Sequence, residues 1–332
     1  MSLRPFAYDR PTTIADTISL LARDTEAIRP LAGGTDLLTL MKGEIVAPDR
    51  LVDIKRLNDL SDEIAVTHRG LEIGALATLA EIEIDPLVVS LAPALAQAAG
   101  LAATPQLHHM ATLGGNLLQR PRCWYFRNAQ IPCWLKGGDG CPAREGENQL
   151  HALFNSGPCV AVHPSDPATA LAALDAEIVV RGGAGERSVP VAAFFAPPDD
   201  GRRTENTLGP GELITSVRIP TQPVGTRSAY LKAMDRKVWA FALVAVAASI
   251  AVTDGKISHA RIVLGGVASV PWRAQGAEQE LLGSDATDAT IARAADAAIA
   301  GGQPLEHNGY KVPLARTLVR RVLAACQDAS EG

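Results

Sequence analysis

The chain has 332 residues, a formal net charge of −5 and a hydrophobic content of 47%. These values exclude a disordered chain and predict about two globular domains, each large enough to bury a core. The negative charge argues against nucleic acid or an anionic membrane surface as the main partner.

The first segment of the chain, Met1 to Pro5, has no apolar region like that of a signal peptide. The longest uncharged apolar run, Val238 to Val252, is too short to span a bilayer. We therefore expect a cytoplasmic protein without a membrane span, or a periplasmic one if a signal-bearing partner exports it.

Short helices and strands alternate over the first hundred residues. Thr12 or Thr13 can cap a helix in which Ile14, Ile18 and Leu21 recur at helical spacing. The apolar pattern then predicts strands at 28–32, 51–54 and 71–75, a helical turn at 37–42 and helical structure over 87–103. Such alternation predicts a first domain that mixes α and β structure.

Between residues 120 and 156 no hydrophobic period is sustained, and a loop of this length inside a domain is expected to be functional. A cluster of Pro, Gly and polar residues at 220–226 predicts a domain boundary. The remaining predicted elements are a helix at 168–174, a strand at 178–180, a hairpin of 242–252 and 257–263 around the tight turn 253–256, and helices at 290–300 and 313–326.

Two Gly-Gly pairs stand in small polar loops, Ala32-Gly33-Gly34-Thr35-Asp36 and Ala111-Thr112-Leu113-Gly114-Gly115-Asn116. Glycine lets backbone N–H groups approach a phosphate closely. Neither loop fits the Rossmann or P-loop pattern, and each taken alone is also typical of an ordinary turn.

Four of the five cysteines lie in one stretch, with the spacing C-x9-C-x7-C-x17-C: Cys123, Cys133, Cys141 and Cys159. The fifth, Cys326, lies near the C-terminus. Zinc sites usually show a C-x2-C pair, which is missing, whereas a [4Fe–4S] cluster takes four thiolates at wide spacings. An iron–sulfur cluster, a zinc ion and four inert thiols all remain open on spacing alone.

The remaining polar groups give weaker signals. His108, His109, His151 and His163 lack a metal-ligand spacing, and we expect ordinary surface or loop histidines. Lys232 belongs to a group of charged residues before the apolar strand. Such a group is typical of a solvent-exposed strand end, although one lysine there could neutralise the negative charge of an anionic cofactor. No Ser-His-Asp arrangement is apparent, and we predict no catalytic residue.

Taken together, these motifs resemble those of the FAD-binding medium subunit of molybdenum hydroxylases, the xanthine dehydrogenase and carbon monoxide dehydrogenase family. The resemblance runs essentially end to end. It rests on 32–38, 111–117, His163-Pro164-Ser165-Asp166, Gly211-Glu212-Leu213-Ile214, 264–268 and Pro271-Trp272-Arg273. The cysteine-rich insert is closest to that of bacterial aldehyde oxidoreductases of periplasmic type, whose flavin subunit carries an inserted [4Fe–4S] cluster.

The resemblance implies an α+β fold. A two-part FAD-binding domain of the vanillyl-alcohol oxidase/CO dehydrogenase flavoprotein type would span residues 1–222, with the iron–sulfur insert at about 119–160. A smaller domain with a three-stranded antiparallel sheet and helices would span residues 223–332.

The resemblance also implies the residues of the site. Those expected to hold FAD are Leu31, Ala32, Gly33, Gly34, Thr35, Asp36, Leu37, Leu38, Thr112, Gly115, Asn116, Gln119, Asp166, Ile214 and Lys232. Those expected to hold the cluster are Cys123, Cys133, Cys141 and Cys159.

By the same resemblance, the chain would pass electrons from the [2Fe–2S] clusters of a small partner subunit, through its own FAD and [4Fe–4S] cluster, to an external acceptor. A large partner with a molybdenum cofactor would oxidise the aldehyde, in a heterotrimer or a dimer of heterotrimers. The alternatives are a subunit like that of 4-hydroxybenzoyl-CoA reductase, a stand-alone FAD-dependent dehydrogenase and a metal-binding scaffold without enzymatic function.

Overall fold

The computed structural model describes residues 3–154 and 157–328. Three short ranges lie outside the described residues: 1–2 and 329–332, which end the two predicted domains, and 155–156 of the predicted insert. Within the described ranges, no helix has both the length and the apolar character that a bilayer span requires.

The first unit is a small parallel sheet with two helices. In chain order its elements are β1 (Ala7–Asp9), α1 (Ile14–Leu21), β2 (Ile28–Leu31), α2 (Leu37–Lys42) and β3 (Arg50–Asp53). The strand order is β1-β3-β2. The predicted first helix is confirmed, since the Thr13 hydroxyl accepts a hydrogen bond from the backbone N–H of Asp16 and caps α1. The carboxyl end of β2 leads directly into the first Gly-Gly loop.

The second unit is a five-stranded antiparallel sheet with the order β4-β5-β8-β6-β7. Its core lies between the sheet and the helices and includes Ile73, Leu95 and Val217, which are fully buried. The elements are β4 (Ile64–Thr67), β5 (Gly70–Gly74), α3 (Leu79–Ile84), α4 (Pro86–Leu91), α5 (Pro93–Gly100), α6 (Pro105–His108), α7 (Leu113–Leu117), α8 (Asp166–Ala173), β6 (Glu177–Gly182), β7 (Gly185–Pro190), α9 (Val191–Phe194) and β8 (Leu213–Ile219).

The helical structure predicted at 87–103 is confirmed up to Gly100, and it consists of two helices, α4 and α5. Each begins with a proline, Pro86 and Pro93. Proline has no N–H to continue a helix that precedes it, and it disfavours the helical conformation of the residue before it. Ala92 accordingly leaves the helical region, with φ −142° and ψ 53°.

The stretch between α7 and α8 is irregular, as predicted. In its described part it contains two 3-10 turns, Trp134–Lys136 and Pro142–Arg144. It nevertheless has a small core of its own, in which Phe126, Trp134 and Leu135 pack with Leu40 of α2. The insert is therefore anchored on the first unit.

The C-terminal domain packs three helices on an antiparallel sheet with the order β12-β11-β10-β9. Its elements are β9 (Arg227–Ala233), β10 (Val244–Thr253), β11 (Lys256–Gly265), β12 (Trp272–Arg273), α10 (Gln275–Leu281), α11 (Asp288–Ala298) and α12 (Lys311–Asp328). Three long strands match the expected three-stranded sheet, and β12 adds a two-residue edge. The predicted hairpin turn is confirmed, since Asp254 and Gly255 both have positive φ, 52° and 75°.

The connection between the domains runs from the end of β8 at Ile219 to the start of β9 at Arg227. The predicted boundary between residues 222 and 223 lies in this connection. Asp175 joins the two parts through ion pairs with Arg261 at 2.7 Å and Arg273 at 3.8 Å.

Candidate functional site

A cleft of about 430 Å³ lies between the loops of the first unit and those of the second. The segment 204–214 closes one side of it. The predicted cofactor residues that line the cleft are Ala32, Gly33, Gly34, Thr35, Asp36, Leu37, Thr112, Gly115, Asn116, Gln119 and Ile214.

The first Gly-Gly loop requires its glycines for two different reasons. A Cβ on Gly33 would lie 1.6 Å from the backbone oxygen of Met110, and Gly34 has a positive φ of 72°. Among the described residues, the backbone N–H groups of Gly33, Gly34 and Thr35 have no hydrogen-bond acceptor. Three donors beside a cleft can therefore bind an anionic group such as a pyrophosphate.

The second Gly-Gly loop is fixed by hydrogen bonds within the protein. The Thr112 hydroxyl accepts from the backbone N–H of Gly115 at 3.2 Å, and the N–H of Gly114 donates to the Ala75 carbonyl at 3.0 Å. The Ser165 hydroxyl donates to Oδ1 of Asn116 at 2.6 Å. This loop forms a rigid wall of the cleft and presents side chains to it.

Asp36 connects the first loop to the start of the insert. One of its carboxylate oxygens pairs with Arg122 at 2.9 Å and with Arg127 at 2.8 Å, and the other accepts from the backbone N–H of Arg120 at 2.9 Å. Burial lowers the pKa of Arg122 to about 10, although the charge of Asp36 opposes this. Arg122 and Arg120 also line the cleft, so two cations lie near any anion bound there.

Four predicted residues lie outside the lining of the cleft. Leu31 and Leu38 pack against Gly34 from behind the loop. Asp166 and Lys232 form a buried ion pair at 2.7 Å, and Tyr230 donates its hydroxyl hydrogen to the other oxygen of Asp166. Burial raises the pKa of Asp166, while the Lys232 charge opposes the shift. This group ties α8 to β9 across the two domains.

The four clustered cysteines come together in the structure, whereas Cys326 lies apart on α12. The charge of Cys123 interacts with Cys133, Cys141 and Cys159, and Cys141 shares a hydrogen bond with Cys159. Among the described residues, no three His, Cys, Asp or Glu side chains converge as the ligands of a single ion would. The four thiols are neighbours, but within the described residues they are not arranged as the ligands of one ion.

Each of the four sulfurs has backbone N–H donors around it. The donors to Cys123 are Tyr125 and Phe126, those to Cys133 are Leu135 and Lys136, those to Cys141 are Ala143 and Val160, and the donor to Cys159 is Ala161. Donors of this kind stabilise negative charge on sulfur. The backbone of the insert is thus folded around four positions where thiolates can be held.

Burial and mutual contact set the protonation of these thiols. Burial raises the pKa of Cys123 to about 11 and also raises that of Cys133. The hydrogen bond with Cys159 lowers the pKa of Cys141 to about 6, and the same bond raises the pKa of Cys159. One thiolate therefore forms readily at Cys141, whereas the raised pKa values keep the other three thiols protonated unless a cation stabilises their thiolates.

We expected ordinary surface or loop histidines, and His151 and His163 do lie in irregular segments, whereas His108 ends α6. All three are buried, so the expectation of a surface position is wrong for them. Burial lowers the pKa of His163 to about 3. Burial, together with the charge of Lys311, lowers the pKa of His151 to about 4. His151 lies beside the cysteines, with Nε2 at 3.2 Å from Sγ of Cys123.

The segment 204–210 was not among the predicted site residues, although it lines the cleft. Its neighbour Gly211 has a φ of 71°, and a Cβ there would meet Ala22, the residue that follows α1, at 2.9 Å. Glu212 holds the turn by accepting from the Gly209 N–H and from Arg187. The Gly-Pro-Gly sequence at 209–211 is the signal that could have predicted this turn.

Residues 4–222 match the family described as the FAD binding domain in molybdopterin dehydrogenase, and residues 229–326 match the CO dehydrogenase flavoprotein C-terminal domain. The chain is 39% identical over 326 residues to the FAD-binding subunit PaoB of the aldehyde oxidoreductase of Escherichia coli, covering 97% of this chain and 98% of that protein. It is 29% identical over 325 residues to the carbon monoxide dehydrogenase medium chain of Hydrogenophaga pseudoflava, covering 96% of each. A solved structure of that dehydrogenase superposes with a TM-score of 0.79 at 28% identity, covering 99% of both chains.

Proposed function

The chain belongs to the family of FAD-binding medium subunits of molybdenum hydroxylases, and we propose that it is the electron-transfer subunit of an aldehyde oxidoreductase that holds both FAD and a [4Fe–4S] cluster. FAD supplies the exchange of electrons between one-electron centres and a two-electron acceptor. The organic substrate would be oxidised on a partner subunit, so this chain needs no acid or base of its own for that step.

The residues of the cleft fit FAD. The unpaired N–H groups of Gly33, Gly34 and Thr35 would bind the pyrophosphate, and a side chain at Gly33 would block its approach. Arg120 and Arg122 line the same cleft and oppose the negative charge of the phosphates. Asn116, which Ser165 orients, supplies a side-chain amide at the opposite wall.

The residues of the insert fit a four-iron cluster. Four thiols lie together, backbone N–H groups near each of them favour the thiolate, and the surrounding core includes Phe126, Trp134 and Leu135. A [4Fe–4S] cluster takes one thiolate on each iron, and hydrogen bonds to sulfur and exclusion of water set its potential. The chain would supply all four ligands.

The observation that carries the proposal is the adjacency of the two sites along the backbone. Arg122 lines the cleft, and the next residue, Cys123, belongs to the thiol cluster. Asp36 of the first glycine loop holds Arg122 by an ion pair at 2.9 Å, so the same contact fixes both sites in relation to each other. This arrangement supports direct electron exchange between a cluster and a flavin.

We further propose a small partner with [2Fe–2S] clusters and a large partner with a molybdenum cofactor, as the oxidoreductase family of the chain implies. The isolated chain should then fail to reduce an electron-accepting dye when an aldehyde is the electron donor. A stand-alone dehydrogenase would reduce the dye. Turnover by the purified chain with an aldehyde would overturn this part of the proposal.

Iron analysis and EPR spectroscopy of the dithionite-reduced chain test the cluster. We expect about four iron atoms per chain and a fast-relaxing spin-½ signal, together with one FAD. In Cys141→Ser the signal should be lost, whereas Cys326→Ser, which changes a buried thiol outside the cluster, should leave it intact. A wild-type chain with FAD but without iron would overturn the cluster and leave the flavin site standing.

A further inference from the structure

The side chain of His151 makes a polar contact with one of the clustered sulfurs. Its Nε2 lies 3.2 Å from Sγ of Cys123, which is within hydrogen-bond range for a sulfur acceptor. The two residues are 28 positions apart, so the fold of the insert is what brings them together.

The backbone of His151 is held from several directions. Its N–H donates to the Asn148 carbonyl at 2.9 Å, and its carbonyl accepts from the side-chain amide of Asn308 at 3.1 Å and from Nζ of Lys311 at 3.0 Å. Lys311 is itself fully buried and also donates to the carbonyls of Leu150 and Gly266. The start of α12 thus fixes the position of His151 from the C-terminal domain.

The imidazole ring is held equally firmly. The Trp124 ring packs edge-on against it with centroids 5.5 Å apart, and the Tyr125 ring lies at 6.2 Å. In the described part of the chain, Nδ1 is buried and has no hydrogen-bond partner. The Asn148 carbonyl lies close enough to the ring to act toward a higher pKa, but it makes no bond of hydrogen-bond geometry with Nδ1. A neutral ring carries one proton, and Nε2, opposite the sulfur, is the ring nitrogen with a partner at hydrogen-bond distance.

We propose that His151 is a positioning residue that donates its Nε2–H to Sγ of Cys123 and thereby raises the reduction potential of the cluster. The inference rests on the [4Fe–4S] cluster proposed above. Reduction by one electron adds negative charge that is shared with the ligand sulfurs, so a donor to sulfur stabilises the reduced form more than the oxidised form. With this hydrogen bond, the cluster is a better electron acceptor than the same cluster with its four thiolate ligands and no donor from His151.

A pair of variants separates the hydrogen bond from packing. His151→Phe keeps a ring between Trp124 and Tyr125 and removes the donor, whereas His151→Gln keeps an N–H donor at similar reach and removes the ring. In an EPR-monitored redox titration of the full chain, we expect His151→Phe to lower the equilibrium constant of reduction about tenfold, which is about 59 mV for one electron. His151→Gln should retain most of the wild-type potential.

An unchanged potential in His151→Phe, or an equal fall in both variants, would overturn the inference. If His151→Phe has its full iron content and an unchanged potential, the inference fails and the proposed function stands. If the wild-type chain contains no iron, the proposed cluster itself fails. A measurement without mutation covers the case in which a variant fails to fold. Pulsed EPR on the reduced chain labelled with ¹⁵N-histidine should show a hyperfine coupling to one imidazole nitrogen, and its absence would contradict the hydrogen bond.

Discussion

Replacing Gly33 with alanine should abolish tight FAD binding. An ideal Cβ at this position lies 1.6 Å from the carbonyl oxygen and 2.6 Å from the carbonyl carbon of Met110. Non-bonded atoms attract at roughly 3.5–4 Å, so the two backbone segments would have to separate by roughly 2 Å. No rotamer change relieves this clash, because both partners are backbone atoms, and overpacking of this kind typically costs about 1–3 kcal/mol.

If the displacement is taken up by the loop that presents the N–H groups of 33–35, the upper figure of about 3 kcal/mol corresponds to roughly a hundredfold weaker FAD binding. The assay is the FAD-to-protein ratio after gel filtration, followed by a fluorescence titration of the apoprotein. Gly183→Ala is the matched control, since a Cβ there meets nothing within 4 Å. A Gly33→Ala chain that binds FAD within about threefold of wild type would refute the assignment of this loop to the cofactor.

Three further predictions concern stability, each measured by urea unfolding. Asp36→Asn removes the anion between two arginines of the insert and should lower the free energy of unfolding by about 2 kcal/mol. Asp285→Asn, at an exposed ion pair, should lower it by under about 1 kcal/mol. Equal losses of stability in the two variants would contradict the bridging role of Asp36. The hydrogen bond from Arg187 holds the pKa of Glu212 in the folded protein below its usual 4.5. The contribution of the Glu212 carboxylate to the free energy of unfolding is therefore complete above pH 4.5 and is lost as the pH falls through the pKa of the folded state. The difference in unfolding free energy between wild type and Glu212→Gln should therefore shrink from pH 7 to pH 3, and a constant difference would be the contrary result. Lys311→Met removes the side-chain donor to the Leu150 and Gly266 carbonyls and leaves the His151 carbonyl with the Asn308 amide alone, so it should cost about 2–4 kcal/mol. A loss below about 1 kcal/mol would show that those contacts contribute little.

Strong local signals in the sequence predicted the elements that depend on them. The turn at Asp254-Gly255 and the cap at Thr13 each depend on one or two residues whose preferences are strong. Helix α10 was missed because Ala274 supplies no capping side chain and its sequence has few apolar residues. The order of the five-stranded sheet could not be predicted, since β5 pairs with β8 far along the chain and nothing in either strand specifies its neighbour.

The residues of the site were predictable in the same way: those marked by local sequence patterns were recognised, and those brought close only by the fold were not. The Gly-Gly pairs and the four cysteines stand out by composition, and the structure brings both groups together. Whether each proposed residue binds a cofactor stays a prediction, as does the cellular location of the chain. His151 and Lys311 could not be recognised, because lysine is rarely buried and because a histidine 28 residues from Cys123 approaches it only after the insert has folded.

The position of β8 at the centre of the five-stranded sheet sets an order of events during synthesis. β5 and β6 emerge from the ribosome before β8, and neither can complete its pairing until β8 arrives. Ile219 follows Cys159 by about 60 residues, which takes roughly 3–12 s at about 5–20 residues per second. All four clustered cysteines are therefore synthesised during an interval in which the five-stranded sheet beside the cleft is still incomplete.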